Sequence, residues 1–178
     1  MTRPARARIN LQALRHNFSR VRQAAPDSRT MAIIKANAYG HGSVEVARNL
    51  PDAQAFGVAC MEEAIALREA GFDRRIVLLE GLFGVDDIFL INAYRLDVVV
   101  HHDSQIALLE QGSLNRPLDV WLKIDTGMNR LGFMPDHVAG TRARLAGISG
   151  IGEVRLMTHF ACADDLSSDY TRKQVERF

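Results

Sequence analysis

The sequence predicts an α/β protein of the (β/α)8 barrel type, with about six of the eight βα units present. Apolar runs of strand length alternate with amphipathic helical patterns, which is typical of a parallel sheet with helical crossovers. The strand-like runs are apolar on both faces, as strands of a buried parallel sheet usually are. The units follow at near-regular spacing and no Gly-x-Gly-x-x-Gly fingerprint follows the first strand, so a barrel is favoured over an open doubly wound sheet.

The expected elements follow in chain order from hydrophobic periodicity and turn residues. Asn10 is a suitable N-cap for a first helix, whose apolar face carries Leu11, Leu14, Phe18 and Val21. Before it, Ala7–Asn10 is expected to form a separate short strand that pairs outside the barrel. The expected strands are Met31–Ala36, Ala55–Cys60, Ile76–Leu79, Asp97–His101, Asp119–Ile124 and Val154–His159. The expected later helices are Ser43–Leu50, Glu62–Ala70 (ended by Gly71), Val85–Tyr94, Ser104–Gln111 (ended by Gly112), a stretch around Asp136–Leu145, and Tyr170–Phe178.

The composition gives no support for a nucleic-acid or membrane partner. The 178 residues are 47% hydrophobic and 24% charged, and the net charge of +1 gives no electrostatic attraction to either partner. No apolar segment approaches the ~20 residues of a membrane span. The basic start of the chain is not followed by the apolar region of a secretory signal. We therefore expect a cytoplasmic protein.

The cysteines and several histidines show no pattern of a metal site. Cys60 and Cys162 lack metal-ligand spacing and are expected to be reduced core thiols. His41, His101 and His102 are not at ligand spacing either. No metal site is expected.

The lysines are few, and two of them stand at the ends of strands. Of the 22 basic residues, only Lys35, Lys123 and Lys173 are lysine. A coding bias toward arginine would replace any lysine that serves only as a surface charge. Those that remain are candidates for a chemical role, because arginine cannot lose its proton to act as a nucleophile. Lys35 and Lys123 both end apolar runs, and the carboxyl ends of the strands form the active face of a parallel barrel.

Lys35 is a candidate for Schiff-base chemistry. A lysine in a poorly solvated position gives up its proton more readily, which frees the amine to attack a carbonyl group. The alternative is a lysine whose stem follows the strand end while its ammonium reaches solvent. Tyr39 lies on the next loop, where Gly40 and Gly42 allow a tight turn. Its hydroxyl is available to a phosphate or a substrate, or its ring packs on the rim of the pocket.

A second group of polar residues follows Lys123. Arg130 comes seven residues later, and Asp125 between them is able to neutralise one of the two cations. The spacing fits a structural Lys–Asp–Arg network as well as a catalytic one. His159 ends the sixth predicted strand, where it would stack on a flat ligand or hold a polar group. The alternative is a core histidine with satisfied hydrogen bonds.

Three segments of the sequence resemble the alanine racemases, enzymes that use pyridoxal 5'-phosphate. They are Ile34-Lys35-Ala36-Asn37-Ala38-Tyr39-Gly40-His41-Gly42, Leu122-Lys123-Ile124-Asp125-Thr126-Gly127-Met128-Asn129-Arg130-Leu131-Gly132, and Thr158-His159-Phe160-Ala161. The resemblance extends over essentially the whole chain, whereas related barrel decarboxylases share only a shorter Lys-Ala-Asn core. It implies that residues 1–178 are the N-terminal portion of a racemase barrel that binds pyridoxal phosphate, without the C-terminal β domain.

The resemblance also implies roles for single residues in the interconversion of L- and D-alanine, which supplies D-alanine as a peptidoglycan precursor. Lys35 would form the internal aldimine with pyridoxal phosphate and, after the external aldimine forms, serve as the base that acts on D-alanine. Tyr39 would bind the cofactor phosphate, Leu79 would pack near the ring, and His159 would lie beside the pyridine. Arg130 would contact the phenolic oxygen of the cofactor and the carboxylate of the substrate.

Two further implications concern Lys123 and the dimer. Lys123 matches a lysine that is carbamylated in many members, a change that turns a cation beside Arg130 into an anion. The family is homodimeric, and its second base is a tyrosine from the C-terminal domain of the partner subunit. That domain, the last two barrel strands and the arginine at the pyridine nitrogen would lie beyond Phe178. The chain alone is therefore expected to be inactive.

Two other functions fit part of the pattern. One is a non-catalytic carrier of pyridoxal phosphate built on a single barrel domain, although the lysine loop of such proteins does not resemble Ala38-Tyr39-Gly40-His41-Gly42. The other is a cofactor-free aldolase that forms a Schiff base directly with its substrate. A visible absorbance band would separate both cofactor-binding functions from this one.

Overall fold

The computed structural model describes residues 7–178, which alternate between parallel strands and helices. The strands are β1 (Met31–Ile33), β2 (Ala55–Val58), β3 (Arg75–Leu78), β4 (Asp97–Val100), β5 (Leu118–Lys123) and β6 (Ile151–Met157). The helical segments are α1 (Leu11–Ala24), α2 (Lys35–Tyr39), α3 (Ser43–Arg48), α4 (Met61–Glu69), α5 (Asp87–Ala93), α6 (Asp103–Gln111), α7 (Val138–Ala146) and α8 (Tyr170–Arg177). A 3-10 turn, Pro135–His137, leads into α7.

The strands follow one another in the sheet in their sequence order, β1-β2-β3-β4-β5-β6. The pairs for which a register is defined are parallel, for example Met31 opposite Ala55 and Lys123 opposite Met157. A doubly wound sheet reverses its strand order at a switch point, whereas barrel strands each pair with the next. The sheet within residues 7–178 therefore confirms the barrel-type prediction, with six of the eight strands.

The first of two compact units in the chain extends to Ile76. Its core includes Phe56 and Leu67, both fully buried. The Phe72 ring meets Phe56 edge-on, with 5.6 Å between centroids. Arg74 places its guanidinium over Phe56 and donates to the carbonyl oxygens of Leu50, Pro51 and Ala53. This arginine therefore closes the loop after α3 while covering the aromatic pair.

The second unit comprises Val77–Phe178 and is built on β4, β5 and β6. Val98, Val99 and Val100 are fully buried, which explains why β4 is apolar on both faces. Full burial of one such side chain stabilises a fold by about 1.5–3 kcal/mol. Trp121 on β5 donates its indole N–H to Asp97, 3.3 Å away. These contacts give β5 two well-packed neighbours, so the residues at its carboxyl end stand on a rigid support.

Most of the predicted elements are confirmed, with shifted ends. Asn10 caps α1, and its Oδ1 accepts hydrogen bonds from the backbone N–H groups of Gln12 and Ala13, both at 3.0 Å. The prediction of a separate strand at Ala7–Asn10 is wrong, because these residues form no strand and Asn10 is the N-cap of α1. Gly71 has φ +88°, the left-handed conformation expected of a helix-ending glycine.

Every strand ends one to three residues before the predicted carboxyl end. Lys35, Leu79 and His159 therefore lie in the segments that follow the strands, and only Lys123 remains a strand residue. Three of these four candidate residues therefore lie outside the strands, where they take no part in the pairing of the sheet.

Within residues 7–178, no helix is long and apolar enough to cross a membrane. No three His, Cys, Asp or Glu side chains in the same part of the chain are grouped to hold a metal ion. Cys60 and Cys162 carry free thiols and are half-buried. Burial raises the pKa of the Cys60 thiol, a condition that keeps a thiol unreactive.

Candidate active site

Lys35 opens a turn that directly follows β1. Ile34 still pairs with the neighbouring strand, because its N–H donates to the carbonyl oxygen of Gly57 at 2.9 Å. The chain then leaves the sheet at Lys35, which corrects the strand predicted over Met31–Ala36. The Lys35 side chain is half-buried and forms no hydrogen bond or ion pair with any residue in the range 7–178. Its amine is therefore available to an incoming group.

The turn after β1 is left-handed. Ala36, Asn37, Ala38 and Tyr39 have φ between +50° and +55°, although none of them is glycine. Each residue with a side chain costs about 1–2 kcal/mol in this conformation, because Cβ approaches the following carbonyl oxygen. Consecutive strain of this kind persists only where the surroundings impose it, and it clusters at functional sites.

Hydrogen bonds inside the turn offset part of this strain. The Ala38 N–H donates to Ile34 at 2.8 Å and the Gly40 N–H to Ala36 at 2.9 Å. Gly40 and Gly42 have φ +84° and +90° and lead the chain into α3, so the predicted tight turn at these glycines is confirmed.

Two polar side chains tie the turn to its surroundings. Glu63 on α4 accepts from the Asn37 N–H at 3.3 Å with one oxygen and from the Ala59 N–H at 2.8 Å with the other. The Asn37 side chain accepts from the N–H of buried Ser43 at 2.8 Å. The turn is thus anchored on both sides, and the carboxylate of Glu63 links it to the end of β2.

Tyr39 ends the turn with its ring in solvent. The side chain is 61% exposed, so its hydroxyl is accessible and packing of the ring on a rim does not explain its position. His41 lies 2.8 Å through Nδ1 from the carbonyl oxygen of Ala38 and so donates to the same turn. This imidazole supports the backbone rather than a metal.

The second unit presents its candidate residues at the carboxyl ends of β3, β5 and β6. Leu79 comes one residue after β3 and is half-buried. Lys123 is the last residue of β5 and is only 7% exposed. Arg130 is exposed and forms no hydrogen bond or ion pair within the described chain, so its guanidinium fork is open to a ligand. His159 comes two residues after β6 and is exposed, which excludes the buried core histidine considered as its alternative.

The loop that carries Arg130 has a fixed shape of its own. Asp125 Oδ1 accepts from the N–H groups of Gly127 and Asn129 at 2.9 and 3.0 Å. Two backbone hydrogen bonds close the loop. The Phe133 N–H donates to the carbonyl oxygen of Lys123 at 2.9 Å, and the Asp125 N–H donates to the carbonyl oxygen of Phe133 at 2.9 Å. Among residues 7–178, Asp125 forms no ion pair. Asp125 thus shapes the loop through backbone hydrogen bonds, and the contacts of its side chain within residues 7–178 do not join it to Lys123 or Arg130.

His101, at the carboxyl end of β4, is close enough to Lys123 for the two side chains to interact electrostatically. Burial lowers the pKa of its imidazole, and the positive charges of His102 and Lys123 act in the same direction. Its Nε2 lies 3.2 Å from the carbonyl oxygen of Glu80, which partly opposes the shift. An imidazole held neutral adds no positive charge beside Lys123.

Several residues that shape these segments were missed by the sequence analysis. Glu63 supports the left-handed turn, while Thr126 and Gln174 are buried polar residues beside the loop of Arg130. The sequence gives little indication that Gln174 is buried, because it is one polar residue among many in the predicted helix Tyr170–Phe178. Thr126 and Glu63 have polar side chains in ordinary loop and helix contexts, so local pattern does not distinguish them.

The comparisons with known proteins agree with these motifs. The family model described as the alanine racemase N-terminal domain matches residues 9–178. The chain is 48% identical over 175 residues to the alanine racemase of Pectobacterium carotovorum subsp. carotovorum, covering 98% of this chain and 49% of that protein. It is also 48% identical over 171 residues to a biosynthetic alanine racemase of Escherichia coli O6:H1, covering 96% of this chain and 48% of that protein.

Solved structures show the same likeness. The biosynthetic alanine racemase of Pseudomonas aeruginosa matches with a TM-score of 0.88 and 43% identity, over 94% of this chain and 47% of that one. A cycloserine complex of alanine racemase from Clostridium difficile 630 matches with a TM-score of 0.84 and 31% identity, over 99% of this chain and 50% of that one. The chain thus spans about half the length of the relatives that it matches. On the extent of the family match, this chain belongs to the alanine racemase N-terminal domain family.

Proposed function

We propose that this chain forms the lysine-bearing, cofactor-binding part of an alanine racemase that uses pyridoxal 5'-phosphate. The observation that carries the proposal is Lys35, which directly follows β1, opens a strained turn that is anchored on both sides, and has no hydrogen-bond or ion-pair partner among residues 7–178. A Schiff base needs an amine that is not held by a carboxylate. The strain is understandable if the turn positions Lys35 and Tyr39 for a ligand.

The donors present fit pyridoxal phosphate. Lys35 offers an amine to the aldehyde, and the exposed hydroxyl of Tyr39 offers a hydrogen bond to the phosphate. In the second unit, the exposed guanidinium of Arg130, which has no ion-pair partner among the described residues 7–178, is offered to the phenolic oxygen and to the carboxylate of alanine. Leu79 and His159 follow their strands as flanking groups for the ring. When bound, the cofactor acidifies the α-proton of the amino acid by drawing electron density into its ring.

Lys35 then acts as the base on one face of the α-carbon. With its amine free, Lys35 would take the proton from D-alanine or return a proton to the same face of the α-carbon. Racemisation requires a second base on the opposite face, because one base alone returns the proton to the face from which it came. We propose that a tyrosine of the partner subunit in a homodimer supplies it, and that residues 1–178 alone do not racemise alanine.

Lys123 is proposed to work as a carbamate. Its side chain is 7% exposed, at the end of a strand whose next loop carries Arg130. A carbamate would present an anion to the guanidinium and fix it with charge-assisted hydrogen bonds.

The test is to locate the covalent attachment of the cofactor. A full-length racemase carrying residues 1–178 is loaded with pyridoxal phosphate, reduced with borohydride and digested for peptide mapping. We expect the pyridoxyl group on Lys35, and Lys35→Ala is expected to abolish the visible band and the racemisation of alanine together. Lys173→Ala is the matched control, because Lys173 is exposed and paired with Asp169 at 3.1 Å. Attachment at Lys123 or Lys173 would refute the assignment.

The same experiment separates the two other functions. A carrier would hold the cofactor on Lys35 but leave the enantiomers of alanine unchanged. A cofactor-free aldolase would show no visible band in the presence of pyridoxal phosphate. Racemisation measured from both D- and L-alanine distinguishes the proposed enzyme from each.

A further inference from the structure

A glutamine that is fully buried lies on the last helix of the chain. Gln174 on α8 has 0% exposure, while α8 is otherwise largely polar and exposed. Burying an amide is costly unless its hydrogen bonds are satisfied. Gln174 satisfies them with three partners in two different segments, so its amide connects these segments.

The partners determine how the amide is oriented. Its Oε1 accepts from the Ala161 N–H at 2.8 Å, and its Nε2 donates to the carbonyl oxygen of His159 at 3.1 Å. A backbone N–H only donates and a carbonyl oxygen only accepts. A flipped amide would place its NH2 group against the Ala161 N–H and its oxygen against the His159 carbonyl oxygen, so both bonds would be lost. The remaining N–H of Nε2 points to Thr126 Oγ1 at 3.1 Å.

The donation then continues in one direction through two hydroxyl groups. Thr158 Oγ1 donates to the carbonyl oxygen of Ile124 at 3.0 Å, so it must accept from Thr126 Oγ1, 2.8 Å away. Each hydroxyl has a single proton, and the chain therefore runs from Gln174 through Thr126 and Thr158 to Ile124. Chains of this kind strengthen cooperatively in a poorly solvated interior.

The series of hydrogen bonds from Gln174 to Ile124 lies next to the point where the pairing of β5 with β6 ends. The pairing of β5 with β6 stops near Lys123 opposite Met157, with one more bond from the Ile124 N–H to Met157 at 2.8 Å. Beyond that point the backbones separate into the loop that carries Arg130 and the segment that carries His159. The two threonines and Gln174 bridge this gap, so they continue the cross-connection after the backbone ladder has ended.

Two neighbours on α8 bind the same loop. The Tyr170 hydroxyl donates to the carbonyl oxygen of Gly127 at 2.7 Å, and Arg177 donates to that of Thr126 at 3.2 Å. Gly127 has φ +138°, and a Cβ there would lie 2.6 Å from the Tyr170 oxygen. The loop therefore fits closely against α8 at the residues that precede Arg130.

We propose that Gln174 is a positioning residue, which holds the Arg130 loop and the His159 segment in a fixed relation through Thr126 and Thr158. The inference rests on the proposed function for the roles of Arg130 and His159, while the network itself is independent of it. Gln174 touches neither substrate nor cofactor. Its loss would leave the N–H of Ala161 and the carbonyl oxygen of His159 without their partner and would release both segments.

The experiment compares Gln174→Met with Gln174→Glu in a full-length racemase carrying residues 1–178. Methionine keeps the length and loses all three bonds, whereas glutamate keeps the acceptor for Ala161. Gln105→Met is the matched control. Gln105 is also buried, accepts from the His101 N–H at 2.9 Å and donates to the carbonyl oxygen of Glu80 at 2.8 Å. None of its bonds reaches the segments of Arg130 or His159.

The first readout is amide hydrogen exchange of the protein without cofactor or substrate. We expect Gln174→Met to speed exchange at Ala161 and over residues 126–130, with β4 and the turn after β1 unchanged. Gln105→Met should leave residues 126–130 and 161 protected. Unchanged exchange at those positions in Gln174→Met would overturn the proposal whether or not the protein is a racemase.

The second readout is steady-state kinetics. A displacement of about 1 Å in a positioning group costs on the order of 10²-fold in rate, so we expect Gln174→Met to lower kcat by about 10- to 100-fold. Gln174→Glu should recover part of the loss at low pH, where its carboxyl group is protonated and donates to His159. Gln105→Met should keep kcat within about threefold at a similar loss of thermal stability. Equal losses of kcat in the two methionine variants would overturn the positioning role, whereas no turnover in the unmodified protein would refute the proposed function alone.

Discussion

Lys35 and Lys123 have the same side chain and similar positions relative to their strands, yet their surroundings differ. Lys35 leaves the sheet at a strained turn, is half-buried and has no polar partner in the part of the chain that the structure describes, while Lys123 remains in β5 with 7% exposure. An unpaired amine suits nucleophilic attack, whereas an ammonium that is nearly buried is costly unless it is paired or modified. These surroundings fit the proposed Schiff-base role of Lys35 and are compatible with the proposed carbamylation of Lys123.

Arg130 and Lys123 are expected to act as a pair. Arg130→Lys should lower kcat/KM by at least about 10²-fold in a full-length racemase carrying residues 1–178, because the substitution removes a planar fork that binds two oxygens at once. Lys123→Ala should lose activity and regain part of it when acetate or another small carboxylate is added. Steady-state assays with and without the carboxylate provide the measurement. Rates like those of the unmodified enzyme in both variants would exclude the pair from the mechanism.

His101 is expected to make stability depend on pH. Burial lowers the pKa of its imidazole below the ordinary 6.5, so the unfolded chain binds a proton at a pH where the folded chain does not. Acidification through about pH 6.5 therefore favours unfolding, and the loss is complete below the folded pKa. Because His101 is half-buried, water screens its charge and the contribution to stability should be small.

Urea unfolding of His101→Asn on both sides of this pH measures the contribution. The variant should show a smaller fall in the free energy of unfolding on acidification than the unmodified protein. His16→Asn on the exposed face of α1 is the control and should leave the fall unchanged. An equal fall in His101→Asn and in the unmodified protein would contradict the expectation.

Among the elements, α2 most clearly departs from local preference. Its last four residues, 36–39, are in the left-handed region. Glu63 accepts from the Asn37 N–H, the Asn37 side chain accepts from the Ser43 N–H, and two glycines follow. Local strain held by distant contacts places Lys35 outside the sheet. The free-energy cost of the left-handed backbone is a property of these residues and does not depend on a bound ligand. A measurement of the free energy of unfolding therefore detects it.

Ala36→Gly should stabilise the folded protein by about 0.5–1 kcal/mol. Ala36 is exposed with φ +50°, and glycine removes the Cβ penalty of about 1–2 kcal/mol while adding an entropic cost of about 0.5–1 kcal/mol. Ala66→Gly, on the exposed face of the right-handed α4, is the control and should destabilise by about 0.5–1 kcal/mol. Urea denaturation measures both. Destabilisation by Ala36→Gly would show that the turn is not strained in solution.

At the scale of the whole molecule, the sheet has two edges. β1 and β6 stand at the two ends of the strand order within residues 7–178. Ile33 on β1 and Leu156 on β6 are each 40% exposed, so apolar surface accompanies both unpaired edges. Exposed edges with apolar side chains promote association with other chains.

Residues 1–178 produced alone are therefore expected to associate and to lack racemase activity. The physical reasons are the two open edges and the need for a second base opposite Lys35. Sedimentation shows the association state, and assays of both alanine enantiomers with excess cofactor show the activity. A soluble monomer with turnover like that of a full-length racemase would show that this chain completes its own site.

The sequence by itself determined the order and type of the elements, the barrel-type class and the Asn10 cap. These depend on short-range periodicity and on hydrogen bonds within a few residues, which local residue choice controls. It also singled out Lys35 and Arg130, whose roles remain proposals. Tertiary structure alone decided that Lys35 opens a left-handed turn and that Asp125 shapes its loop.

The burial of Gln174 was likewise decided only by tertiary structure. Its partner Thr126 lies 48 residues away in the chain, and Glu63 lies 26 residues from the Asn37 N–H that it binds. Nothing in the neighbouring residues distinguishes such a polar side chain from an exposed one. Long-range hydrogen bonds in a packed interior supply the missing information, because they set which polar groups are buried and which backbone strain is tolerated.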